Sequence, residues 1–205
     1  MITDWRKHWN AGNFPFYFVQ LASFNAANGD SKNGSTWAEL REAQAMTLSL
    51  PNTGMAVTTD IGNSSDIHPK DKQDVGKRLA AIALHNVYNK NVVFTGPVYQ
   101  SLKIEGTRIV ISFTNIASGL MVKNGPLKGF EIAGLGQQFF PATATIEGDR
   151  VSVECKEIQH PVAVRYGWKD DAGEDNLFNK EGFPAAPFRT DKWKGITEGK
   201  KFAFE

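Results

Sequence analysis

Asp66-Ile67-His68-Pro69 sets a carboxylate and an imidazole two residues apart, just after an apolar segment and just before an amphipathic one. That pair can do acid/base chemistry. A neutral imidazole takes a proton from a nucleophile, and a carboxylate on its other ring nitrogen fixes the tautomer and stabilises the imidazolium that forms. Proline is favoured at the first position of a helix, where its missing N–H costs nothing, so Pro69 predicts a helix start with His68 at the N-cap. At the positive end of a helix dipole the ring would be held neutral near pH 7. The plainer reading is that His68 only caps a helix, because D-x-H is a short pattern. Asp60, at the head of the same loop, is the alternative acid.

Other residue groups are weaker candidates. Gly29-Asp30-Ser31 spells a serine-nucleophile triplet, but it sits in a Gly/Asn loop rather than on a tight strand-to-helix turn, and it reads as loop filler. Arg41 and Gln44, on a helix beside the Asp60–His68 loop, could hold a substrate hydroxyl or brace the loop. Trp37 is the nearest of five tryptophans that could stack on a sugar ring, although large aromatics mostly serve the core. The four histidines show no HExxH-type spacing, and no metal or other cofactor is expected.

The elements that must carry these groups follow from periodicity. Phe14 to Phe24 is almost continuously apolar, as in a central parallel strand buried on both faces. A loop from Asn25 to Ser35 leads to Thr36-Trp37-Ala38-Glu39, a capping-box pattern that opens a helix ending before Pro51. Gly54 to Thr59 reads as a second strand, and Val75, Leu79, Ile82 and Ala83 recur at helical spacing. Strand, helix, strand, helix predicts a parallel α/β sheet, with reactive groups beyond the carboxyl ends of its strands. After about Asn91 the texture becomes short alternating segments at Gln100 to Ile104, Arg108 to Phe113, Phe139 to Ile146 and Arg150 to Glu154, separated by turns at Gly106, Gly125 and Gly148. This predicts antiparallel β, sandwich-like, followed from Asp170 by an extended tail. The expected division is thus residues 1–90 and 91–205.

Bulk properties narrow the partners. A net charge of +1 over 205 residues offers no basic field for nucleic acid or a membrane surface. No apolar stretch approaches the roughly 18 residues of a bilayer span. A single cysteine, Cys155, leaves no internal disulfide framework. The first residues, with Trp5 and Trp9 on one face, look like a helix entered midway, which predicts a truncated chain.

Several longer runs carry a resemblance. Asp4-Trp5-Arg6-Lys7, Phe14 through Ala22, Trp37-Ala38-Glu39-Leu40-Arg41-Glu42-Ala43-Gln44, Asp60-Ile61-Gly62, Asp66-Ile67-His68-Pro69, Lys72 through Gly76, Leu127 through Gly134, Pro161 through Trp168 and Pro187 through Asp191 together resemble the sialate O-acetylesterase family of SGNH-type hydrolases. The resemblance implies the C-terminal part of a flavodoxin-like α/β parallel-sheet hydrolase domain followed by a small antiparallel β-sandwich-like region. It implies removal of O-acetyl groups from sialic acid or another acetylated glycan: a serine attacks the acetyl carbonyl, a histidine serves as base and then acid, and water hydrolyses the acyl-enzyme. His68 matches the family histidine. The family's Gly-Gln-Ser-Asn-type serine motif and its Gly-Glu block would fall before Met1, so the chain alone is expected to be inactive and to need the missing N-terminal half as its partner. Many relatives space the acid as Asp-x-x-His, which keeps both Asp66 and Asp60 in view. The resemblance also implies a secreted or periplasmic enzyme. The rival expectation is a non-catalytic carbohydrate-binding or scaffold module.

Overall fold

Arg6 fixes how the chain enters its first strand. In the computed structural model, which describes residues 1–201, helix α1 (Ile2–Trp9) ends at Asn10 in the left-handed conformation, φ 49°. Trp5 and Trp9 stack on one face with centroids 6.1 Å apart. The buried Arg6 guanidinium donates to Phe14 O at 3.1 and 2.7 Å and to Asn52 O at 3.2 Å. It thereby aligns the entrances to β1 (Phe16–Val19) and β2 (Thr53–Ala56), which pair in parallel from Phe16 opposite Thr53.

Helix α2 (Thr36–Met46) lies between these strands in sequence. Its cap is Ser35, whose Oγ accepts the Ala38 N–H at 3.0 Å. Glu39 does not reach back to complete a capping box; it accepts instead from Ile196 and Thr197 in the C-terminal segment. A single 3-10 turn over Thr47–Ser49 ends the helix ahead of Pro51. After β2 come a 3-10 turn, Thr59–Ile61, an irregular loop, and helix α3 (Lys72–Asn86) with Ile82 buried against the strands.

The flavodoxin-like parallel sheet expected from the sequence is not what the described residues build. β1 and β2 are the one parallel pair; the other sheets are antiparallel. Nor is β1 buried on both faces, since Phe16 to Phe18 are half-buried and Val19 is 37% exposed. The apolar run misled because its second half leaves the ladder after Gln20. There the Leu21 N–H goes to the Gln44 side chain and the Phe24 N–H to Asp170 O.

The β part begins with β3 (Val98–Glu105), β4 (Arg108–Thr114), β5 (Leu120–Val122), β6 (Phe130–Ala133) and β7 (Phe139–Pro141). It continues with β8 (Thr143–Glu147), β9 (Arg150–Glu154), β10 (Ala163–Tyr166), β11 (Leu177–Asn179) and β12 (Phe188–Arg189). One four-stranded sheet runs β3-β4-β9-β8 and the other β12-β10-β6-β7, with β5 and β11 as a separate pair. Gly106 and Gly148, at φ 64° and 62°, close the β3-β4 and β8-β9 hairpins in a conformation side chains resist. Ile109, Ile111, Val151 and Val153 of the first sheet meet Phe130, Ile132, Val164 and Tyr166 of the second in one core. Each such side chain contributes roughly 1.5–3 kcal/mol by leaving water. The architecture is therefore sandwich-like. The segment after Asp170 is not a loose extension: it supplies β11 and β12, and its buried Asn179 donates to Thr95 O and accepts from the Phe183 N–H.

Candidate active site

The loop between the 3-10 turn and α3 is held at several points before it reaches His68. Ser23 donates from Oγ to Thr59 O at 2.7 Å, and its carbonyl accepts the Asn63 N–H at 3.0 Å. Gly62 passes so close that a Cβ there would lie 2.3 Å from Ser23 O, which only glycine allows. Ser64 bonds to Asp171 through its hydroxyl and to the Asn25 N–H through its carbonyl.

Asp66 and His68 meet at the end of this anchored stretch. Asp66 Oδ1 accepts the His68 backbone N–H at 2.9 Å, an Asx-turn, and lies 3.4 Å from His68 Nδ1. The Asp66 carboxyl is held below the usual range, first by that backbone N–H, with desolvation opposing and the His68 ring and Lys70 adding to the fall. The imidazole is 87% exposed. With Nδ1 turned to the carboxylate, Nε2 is the nitrogen left to face a reactant. His68 does not cap α3. Asp71, three residues further on, does, with its carboxylate accepting the Asp74 N–H at 3.0 Å, the position and side chain preferred at an N-cap. The helix therefore begins three residues later than Pro69 suggested, and its dipole does not act on the ring from the cap position.

Asp60 is engaged elsewhere. Both its oxygens pair with Arg78 of α3 at 2.6 and 2.7 Å, and Arg78 also donates to Val57 O; both side chains are buried. The pair locks α3 to the end of β2.

The three residues considered for substrate contact brace the scaffold. Arg41, 1% exposed, donates to four carbonyls, Leu21 O, Ala22 O, Lys169 O and Asp170 O, at 2.7–3.0 Å. Burial pulls its pKa down to about 10, with Asp170, Asp175 and Asp171 opposing, so it stays charged at neutral pH. Gln44 accepts the Leu21 N–H at 2.8 Å, and Trp37 donates to Ala22 O at 2.9 Å while packing on Phe24. Ser31 donates to Glu131 Oε2 at 2.5 Å, and burial pushes the Glu131 carboxyl up. Among the described residues no hydrogen bond joins Ser31 to His68.

No family model matches the chain, and no curated protein does. Among solved structures it is similar to a carbohydrate acetylesterase from Xanthomonas citri. The two share 47% identity and a TM-score of 0.89 over 94% of this chain and 45% of that one. This chain thus spans less than half the length of that protein.

Sequence reasoning found the Asp66–His68 loop but missed what holds it. Asp170 is a hub: its carboxylate accepts from the Ala27 and Gly29 N–H groups, each at 3.0 Å, and from Ser35 Oγ at 2.5 Å. No local spacing reveals a partner more than 130 residues away. Arg78 could have been noticed as a cation among the apolar positions of α3, since a charge on a buried stripe implies a counter-charge.

Proposed function

We propose that this chain carries the acid/base half of a carbohydrate O-acetyl ester hydrolase. Asp66 and His68 would form the orienting and proton-transferring members of a Ser–His–Asp system, and O-acetylated sugars, sialic acid among them, would be its substrates. The observation that carries the reading is the Asp66–His68 contact itself: a carboxylate on Nδ1, a free Nε2, and an exposed ring on a loop pinned by Ser23 and Ser64. The similarity to a carbohydrate acetylesterase supports it. In the proposed reaction a serine hydroxyl gives its proton to Nε2 and attacks the acetyl carbonyl. The imidazolium, stabilised by Asp66, returns the proton to the departing sugar oxygen, and water repeats the cycle on the acyl-enzyme. Ser31 is occupied by Glu131, which argues against it as the nucleophile, and this reading takes that serine from a remainder of the enzyme not included in these 205 residues.

Hydrolysis of p-nitrophenyl acetate and acetylated saccharides tests this. The chain alone should show none above background. Combined with the serine-bearing remainder of a similar esterase it should turn over, and His68→Ala should then lower the acylation rate by about three orders of magnitude or more, since base and leaving-group acid are lost together. Asp66→Asn should cost up to about 10⁴-fold and Asp60→Asn far less. Undiminished turnover in a folded His68→Ala protein would refute the assignment.

A further inference from the structure

A cleft of about 170 Å³ opens between the loop at Ser31 and the second four-stranded sheet, with Trp193 and Phe139 as apolar walls and Arg165, Trp168 and Arg189 at its floor. It is built by segments far apart in sequence and held open by backbone contacts. Glu39 accepts the Ile196 and Thr197 N–H groups at 2.7 and 3.0 Å. Gly34, at φ 85°, lets Ile196 approach to where a Cβ would sit 2.2 Å from Cγ2. The segment carrying Trp193 is thereby fixed across the opening.

The floor is rich in donors, and each of its guanidiniums has a carboxylate partner, while the exposed Lys32 and Lys194 also line the cleft. Arg165 gives Nε and Nη2 to Asp191 at 2.9 and 3.0 Å, and Arg189 gives Nε and Nη2 to Glu42 at 2.8 and 2.9 Å. Each carboxylate neutralises its guanidinium. One further N–H on each goes to a carbonyl, Ser31 O or Trp193 O. A guanidinium has five N–H donors, so each retains N–H groups that this framework does not use. Both guanidiniums lie over the Trp168 ring, at 5.1 and 5.0 Å from its centroid. Trp168 is only 3% exposed, and its indole N–H has no acceptor among the described residues. Trp193 stands edge-on to Phe139 at 5.5 Å, half-buried, with part of its ring turned to the opening.

An unpartnered indole N–H and spare guanidinium N–H groups call for oxygen acceptors; guanidiniums already paired at the floor give little reason for a formal anion there; an aromatic wall suits an apolar C–H face. One ligand chemistry meets all three. We propose that this cleft is a subsite for a neutral sugar ring, stacked on Trp193 with its hydroxyl and ring oxygens on Arg165, Trp168 and Arg189. The subsite rests on the carbohydrate reading above and adds to it a place where the glycan is held apart from the His68 loop. The cleft is small beside drug-sized sites, which points to one ring rather than a long oligosaccharide.

Titration of the ¹⁵N-labelled chain with methyl glycosides of glucose, galactose, mannose and xylose tests the proposal by binding alone, so that absence of ester hydrolysis would leave the result readable. At least one glycoside should shift the Trp168 and Trp193 indole N–H signals saturably. Trp193→Ala should weaken that binding by about tenfold or more, the equivalent of one lost stacking contact in a desolvated site. If Trp193→Ala loosens the C-terminal segment, Trp193→Phe keeps a smaller stacking face and should retain part of the affinity. Saturable shifts confined to other residues, no shift with any glycoside, or equal affinity in Trp193→Ala would overturn the subsite.

Discussion

Arg41→Lys is expected to unfold this chain far more easily while keeping its charge. The guanidinium joins two irregular backbone segments, Leu21–Ala22 on one side and Lys169–Asp170 on the other, through four hydrogen bonds. A lysine ammonium is a point donor and can serve at most one of the two sides. At least two charge-assisted bonds are lost, each worth about 1.5–3 kcal/mol, so the loss is about 3–6 kcal/mol. Urea denaturation followed by tryptophan fluorescence reads it directly. With a slope near the upper end for domains, ~3 kcal/mol per molar, the midpoint should fall by ~1–2 M. A fall of under ~0.3 M at unchanged slope would show that the four bonds contribute little net stability and that Arg41 is free for another task. The result also bears on the site, because Ala22 leads directly to Ser23, which holds the loop below His68.

Asp60→Ala leaves Arg78 buried without its counter-charge and should destabilise by about 3–5 kcal/mol in the same assay, whereas His68→Ala, on an exposed ring, should change stability by less than about 0.5 kcal/mol; equal effects would mean that the Asp60–Arg78 pair is not the lock on α3. Asp175 is buried with its Oδ2 unpaired; burial raises its pKa, and Lys169, 2.8 Å from Oδ1, only partly offsets this. Its folded-state pKa lies above the unfolded one, so the folded protein holds a proton that the unfolded chain releases, and stability should decline as pH rises above the usual carboxylate range. Asp175→Asn should remove that part of the decline, and identical pH profiles of the denaturation midpoint in the two proteins would show that the carboxyl does not titrate abnormally.

Local signals in the sequence were legible where local physics decides the structure. The hairpins at Gly106 and Gly148, the alternation in Arg150–Glu154 and the helix opening near Ser35 depend on neighbours within a few residues, and each stands within a residue or two of where its pattern put it. Phe139 to Ile146 broke into two strands, because β7 pairs with β6 while β8 pairs with β9 in the other sheet, a choice made by partners rather than by composition. The parallel sheet failed for a related reason. Continuous apolarity says that a segment avoids water, not what lies beside it, and residues beyond Gln20 satisfy their N–H groups on Gln44 and Asp170 instead of on a strand. At the site, the Asp66–His68 proximity was visible because it spans two residues. The assignments of Arg41 and Asp60 required knowing that carbonyls at 169 and 170 and a guanidinium at 78 converge on them.

Asp170 ties that convergence to time as well as space. Its carboxylate and carbonyl satisfy the loop at Ala27 and Gly29, the cap of α2 at Ser35 and the buried Arg41, across as many as 143 residues of chain. On a ribosome adding about 5–20 residues per second, the first third of the chain would wait roughly 7–30 s for its counterpart to be made. During that interval Arg41 lacks two of its four carbonyl partners, and chaperones or early collapse partners have their longest opportunity to act. Synonymous codons between Asn91 and Asp170 that slow elongation should therefore lower the soluble yield of this protein more than equally slow codons placed after Thr190.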